Sequence, residues 1–189
     1  MRPQSVSGPV IVRPDADRLE VIAVVPGAGP TSNVRKGEVV RVFNDLSEFV
    51  AAEGSELEPT EWLQITQERV NLFAEATDDH QWIHIDPERA ASGPFGGTIA
   101  HGLLTLSLLP HFTHQMYRVD NVKLAVNYGY NKVRFITPVK VGAKVRARGV
   151  ISNVDQLDGA IQVTMTVTVE IEGSPKPAAV VESIVRFIG

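Results

Sequence analysis

The chain has 189 residues, no cysteine and a formal net charge of −4, with 43% hydrophobic and 21% charged residues. That length suits one globular domain with room for an appendage, and a domain of this size buries a core without covalent staples. The missing cysteines exclude disulfides, thiolate nucleophiles and Cys-based metal sites, while the acidic total and the lack of a basic helix argue against nucleic acid as a partner.

Residues 1–38 carry Pro3, Pro9, Pro14, Pro26 and Pro30 with Gly8, Gly27 and Gly29. This punctuation predicts an N-terminal extension in which 10–12 and 19–25 pair as short strands, followed by a single domain over 39–189. The extension breaks its apolar run with Arg13, Asp15 and Asp17, so it has no signal-peptide core. No segment approaches the roughly 20 apolar residues that span a bilayer. A cytoplasmic protein with no membrane partner is expected.

Further along, Asn44 precedes a short capped helix over 45–52, and 61–65 is expected as a strand. Thr66 then caps a helix over 67–77, with Val70, Phe73 and Ala74 on one side. Residues 78–97 are predicted to be irregular, ending in Gly93, Pro94, Gly96 and Gly97. Thr98 is the expected cap of a buried helix over 99–109, apolar nearly all round, with Ser107 packed inside it. Pro110 is expected to kink or end that helix. Strands follow at 122–128, 132–135, 144–154, 161–172 and 178–187. Lys144, Arg146 and Arg148 alternate with Val145, Ala147 and Gly149, the period of a half-buried strand. Helices first and long antiparallel strands afterwards predict an α+β fold, a sheet wrapped around a helix.

Charge is unevenly spread. Residues 1–120 hold 17 acids and 9 bases, and residues 121–189 hold 5 acids and 9 bases. Between Asp120 and Asp155 stand Lys123, Lys132, Arg134, Lys140, Lys144, Arg146 and Arg148 with no acid among them. Such a stretch either receives a phosphorylated ligand or forms a solvated strand face.

Reactive residues gather where regular structure lapses, from Thr77 to Pro87 and again from Gly93 to Gly102. A carboxylate and an imidazole placed together divide acid–base work, one taking a proton from water while the other gives one. A helix N-terminus facing them polarises a carbonyl. His80 and His84 stand four apart, but Gln81 replaces the Glu of the zinc-protease pattern, and no metal is expected. The glycines of 93–97 lack the spacing of a dinucleotide or phosphate loop, and no Ser occupies a nucleophile elbow.

The stretch resembles the signature of the MaoC-like, R-specific enoyl-CoA hydratase family. Phe73-Ala74, Asp79, His84, Asp86, Phe95 and Ile99-Ala100-His101-Gly102 match it in order and spacing. The run His80-Gln81-Trp82-Ile83-His84 is closer to the branch that resembles nodulation protein N. The resemblance covers roughly residues 40–189. It implies a hot-dog fold, a curved antiparallel sheet around a long buried helix, assembled as a homodimer. It also implies that Asp79 and His84 hold a water which adds to the β-carbon of a trans-2-enoyl-CoA, that the Gly102 N–H stabilises the thioester oxygen, and that the product is the (3R)-3-hydroxyacyl-CoA. Apart from the CoA thioester substrate no cofactor is implied. Lys132, Arg134 and Lys144 are the candidates for its phosphates. Asp78 replaces the family's Gly, and Gln81 and Trp82 replace its Asn and Pro. His101 and Asp86 are read as supporting residues. A hot-dog thioesterase and a non-catalytic acyl-CoA-binding subunit are the alternatives.

Overall fold

The computed structural model describes residues 40–189, so the expected extension at 1–38 and its strand candidates lie outside the described residues. From there the chain runs β1 (Arg41–Phe43), α1 (Leu46–Val50), β2 (Glu56–Leu57), β3 (Leu63–Gln64), α2 (Gln67–Thr77), α3 (Trp82–Ile85) and α4 (Pro87–Ala91). It continues through α5 (Gly102–Ser107), α6 (Leu109–Met116) and β4 (Tyr117–Val119) to four long strands, β5 (Leu124–Phe135), β6 (Lys144–Leu157), β7 (Ala160–Ile171) and β8 (Ala179–Ile188).

The long strands form an antiparallel sheet in the order β2-β6-β7-β8-β5, with β3 also pairing with β6. β7 shows how sequence dictates this layer. Ile161, Val163, Met165, Val167 and Val169 fall at every second position, and all are buried. Side chains on a strand alternate between faces, so this face must be covered. The cover is α5 and α6 with Leu108 between them, where Leu104, Leu108, Phe112 and Met116 join the same core. Burying a side chain such as Phe112 contributes about 1.5–3 kcal/mol. The helix comes so close to β6 that a Cβ on Gly149 would lie 2.9 Å from the Met116 sulfur, so any side chain there would have to displace Met116. Phe43, Phe49, Tyr117 and Phe187 close one end of the core with tilted and edge-on ring contacts.

Several expectations are corrected. The central helix does not begin after Thr98. Residue Ile99 instead bridges Lys140 in extended backbone, and His101 is the N-cap of a helix that starts at Gly102. The expected break at Pro110 is present: α5 stops at Ser107, Leu108 turns, and Pro110 sits in the first turn of α6, where its missing N–H would have had no helical partner anyway, with helix running on to Met116. Ser107 is exposed and donates to the Leu103 carbonyl at 2.8 Å rather than packing inside, and Leu103 is itself 59% exposed. Residues 78–97 are not wholly irregular, because α3 and α4 lie within them. Asp86 caps α4 by accepting from the Arg89 N–H at 3.0 Å, with Pro87 at the first helical position. The two strands expected at 122–128 and 132–135 are one strand, β5, kept continuous by irregularities at Asn127/Gly129 and Tyr130/Lys132. The helix at 67–77 and its Thr66 cap are as expected, the Thr66 hydroxyl accepting from the Arg69 N–H at 3.2 Å.

Candidate active site

Helix α2 ends at Asp78, whose φ of 56° places it in the left-handed region. Glycine enters that region freely and Asp is among the few side chains that tolerate it. The backbone here thus explains why a glycine suits this position and why Asp is an acceptable substitute. Asp79 follows, its side chain 53% exposed and its backbone carbonyl accepting from His101 Nε2 at 3.0 Å.

His84 is reached through α3 and is 6% exposed. Its Nδ1 lies 2.7 Å from the Ile99 carbonyl oxygen. An oxygen acceptor at that distance requires the proton on Nδ1, which leaves Nε2 as a lone pair. Burial lowers the His84 pKa, with nearby His101 pushing the same way, while the Ile99 bond and the Asp79 carboxylate oppose the shift. His84 is therefore a neutral base at neutral pH. Its position is fixed from a third direction by Gln67, whose Nε2 donates to the His84 carbonyl at 2.7 Å and whose Oε1 accepts from the Thr98 hydroxyl at 2.6 Å. The first residue of α2 thus ties the His84 turn to the segment leading into α5.

The two imidazoles stack, with centroids 3.7 Å apart and planes 27° from parallel. Asp79, His84 and His101 each bring one ligand-type atom within 4.8 Å of the others. Each imidazole already commits one nitrogen to a carbonyl, His84 Nδ1 to Ile99 and His101 Nε2 to Asp79. His80, the i−4 neighbour of His84, turns away and lies 3.7 Å from Glu75. Gly102 is the first residue of α5, a position whose N–H has no partner within the helix. A Cβ on Gly102 would lie 3.0 Å from the Phe135 ring, so a larger residue here would push that ring aside.

The structure brings Asp79 and His84 together and places Gly102 immediately after His101. It does not bring the three basic candidates together. Lys132 and Arg134 are exposed on β5, whereas Lys144 is on β6 and pairs with Glu172 at 3.4 Å. In register, Arg134 faces Val180, Val180 faces Thr168 and Thr168 faces Arg148. β5 and β6 are thus separated by β8 and β7, about 14 Å at the usual strand spacing. Arg146 and Arg148 both pair with Glu170, so much of the basic run is a paired strand face. Sequence reasoning missed Gln67 and the Gln67–Thr98 bond, because a polar residue at a helix start carries no signal of a partner 31 positions away.

A helical segment cupped by an antiparallel sheet, with a carboxylate and an imidazole side by side on the segment before it, defines a hot-dog protein. The model of the MaoC-like domain matches residues 48–173. The chain is 58% identical over 150 residues to 3-hydroxyacyl-thioester dehydratase Z of Mycobacterium tuberculosis, covering 79% of this chain and 99% of that one. It is 47% identical over 137 residues to nodulation protein N of Rhizobium leguminosarum bv. viciae, covering 70% and 84%. Among solved structures, the (R)-hydratase from A. caviae involved in PHA biosynthesis superposes with a TM-score of 0.58 at 24% identity over 70% of this chain and 94% of that one, a likeness of fold. The chain belongs to the MaoC-like family.

Proposed function

We propose that this chain interconverts trans-2-enoyl-CoA and (3R)-3-hydroxyacyl-CoA by adding or removing water. The observation that carries the reading is the pairing of an exposed Asp79 carboxylate with a buried His84 whose Nδ1–H is committed to Ile99. That leaves two acceptors, the carboxylate and His84 Nε2, to hold one water by its two hydrogens. In hydration the water oxygen bonds to C3 as His84 Nε2 takes its proton. The C2–C3 π electrons move toward the thioester, whose oxygen is met by the Gly102 N–H. The proton then passes from His84 to C2, which restores the neutral imidazole. Asp79 orients the water and stabilises the transient imidazolium. Dehydration runs the same steps backwards, and neither direction calls on a cofactor.

The 58% identity to a dehydratase of 3-hydroxyacyl thioesters supports this reading. The R configuration and the CoA carrier are part of the proposal. For the phosphates we favour Lys132 and Arg134, which lie on the strand that packs against Gly102; Lys144 would have to leave Glu172. A homodimer is also proposed. β5 is an edge strand 12 residues long with no buried residue, and unpaired edges of that length are normally covered. Among the described residues no helix is long and apolar enough to cross a membrane, and the proposed setting is the cytoplasm.

The test is the ultraviolet absorbance of crotonyl-CoA mixed with the protein, with free thiol assayed in parallel. Loss of the conjugated-enoyl band without thiol release, and a (3R) product on chiral analysis, is the expected result. Thiol release would identify a thioesterase. Binding without turnover across a panel of chain lengths would identify a non-catalytic subunit.

A further inference from the structure

His101 is buried more deeply than either proposed catalytic side chain, at 3% exposure, yet the hydration chemistry asks nothing of it directly. Three contacts define its place. Nε2 lies 3.0 Å from the Asp79 carbonyl oxygen and 4.0 Å from the Asp79 carboxylate. One ring face stacks on His84 at 3.7 Å, and Phe73 lies 5.1 Å away, tilted by 50°. Nδ1 is buried with no hydrogen-bond partner among the described residues.

These contacts fix its chemical state. A carbonyl acceptor needs the proton on Nε2. His101 is therefore an Nε2–H donor. It touches both members of the acid–base pair, one through a hydrogen bond to the main chain and the other through ring stacking. Asp79 follows a left-handed residue at the end of α2 and has a half-exposed side chain, so the His101 bond ties its main chain to the start of α5.

We propose, on the basis of the hydratase reading, that His101 is a positioning residue. Its Nε2–H holds the Asp79 backbone at the distance from His84 that one shared water spans, and its ring sets the plane of the His84 imidazole. A packing residue would supply shape alone; His101 supplies a directed donor.

Two substitutions separate the donor from the ring. His101→Gln keeps a side-chain N–H at about the same reach and loses the aromatic face; His101→Phe keeps the face and loses the donor. With the full chain and crotonyl-CoA, His101→Phe is expected to lower kcat by about 100-fold with little change in KM, the scale on which a small misplacement of reacting groups acts, while His101→Gln stays within about tenfold of wild type. A His101→Phe enzyme with kcat within threefold of wild type overturns the proposal. So does an equal loss in both variants. If the wild-type chain turns over no enoyl-CoA, the hydratase reading fails separately. NMR signals of the Asp79 backbone and the His84 ring then decide: a larger change in His101→Phe than in His101→Gln upholds the positioning role of the donor, and equal or no change in the two overturns it.

Discussion

In the sheet formed by β6, β7 and β8, each inward side chain is held by many weak contacts at once, and no single one sets its position. Between Asp78 and His101 the opposite holds. His84 is placed by its Nδ1 bond to Ile99 and by Gln67 on its carbonyl, and Asp79 by one bond from His101. Apolar burial is additive and non-directional, so it secures a fold without aiming any one atom. Hydrogen bonds are few and directional, so they aim atoms but add little net stability each. The two regions should therefore fail differently, the sheet by unfolding and the loop by losing turnover.

The largest separation is expected from Asp79→Asn and His84→Ala. Each should cut kcat/KM by about 10²–10⁴-fold, the usual worth of a positioned acid–base group, while circular dichroism and melting temperature stay near wild type. A variant that unfolds would show that the loop carries stability after all. Phe112→Ala should do the reverse. Phe112 is fully buried on α6, so its truncation should cost about 3–5 kcal/mol of stability in chemical denaturation, with the kcat of the remaining folded protein largely retained.

A pH profile sharpens the contrast at a single group. Burial lowers the His84 pKa below the ordinary 6.5. The Nε2 lone pair is therefore fully available above that value, and activity should decline only as pH falls below it, through the lowered pKa. An acid limb centred above 6.5 would remove the assignment of His84 as the neutral base. The smallest effect is expected from Arg148→Ala. Its side chain is 54% exposed and pairs with Glu170, which also holds Arg146. A shift of about 0.2–1 kcal/mol is the range for such a surface pair, with crotonyl-CoA hydration unchanged.

The same division explains what could be read from sequence. β6, β7 and β8 were legible because one face of each is buried, and a period of two records that directly. α2 was legible from Thr66 and its apolar side. β5 was legible only in pieces, since an edge strand with irregular register and no buried face leaves no regular pattern. The run from Ile99 looks helical throughout because its residues are apolar, but Ala100 N–H donates to the Val139 carbonyl and Ile99 N–H to the Ile83 carbonyl. Those two tertiary bonds hold it extended until Gly102. Asp79, His84 and Gly102 stood out through the family resemblance. His101 stood out with them as a supporting residue, whereas Gln67 acts through partners distant in the chain, and sequence spacing carries no trace of such bonds.

Ile99 joins two of these threads. Its carbonyl accepts from His84 Nδ1 at 2.7 Å, and the N–H of the same peptide unit, that of Ala100, donates to the Val139 carbonyl at 2.8 Å. A fluctuation that swings this peptide outward therefore frees the His84 ring from its fixed tautomer in the same motion. Amide hydrogen exchange at Ala100 becomes a clock for the imidazole, timing how often the base loses its orientation. The lifetime of one backbone bond thus sets an upper limit on how long the pair can wait, correctly aligned, for a water and a thioester to arrive.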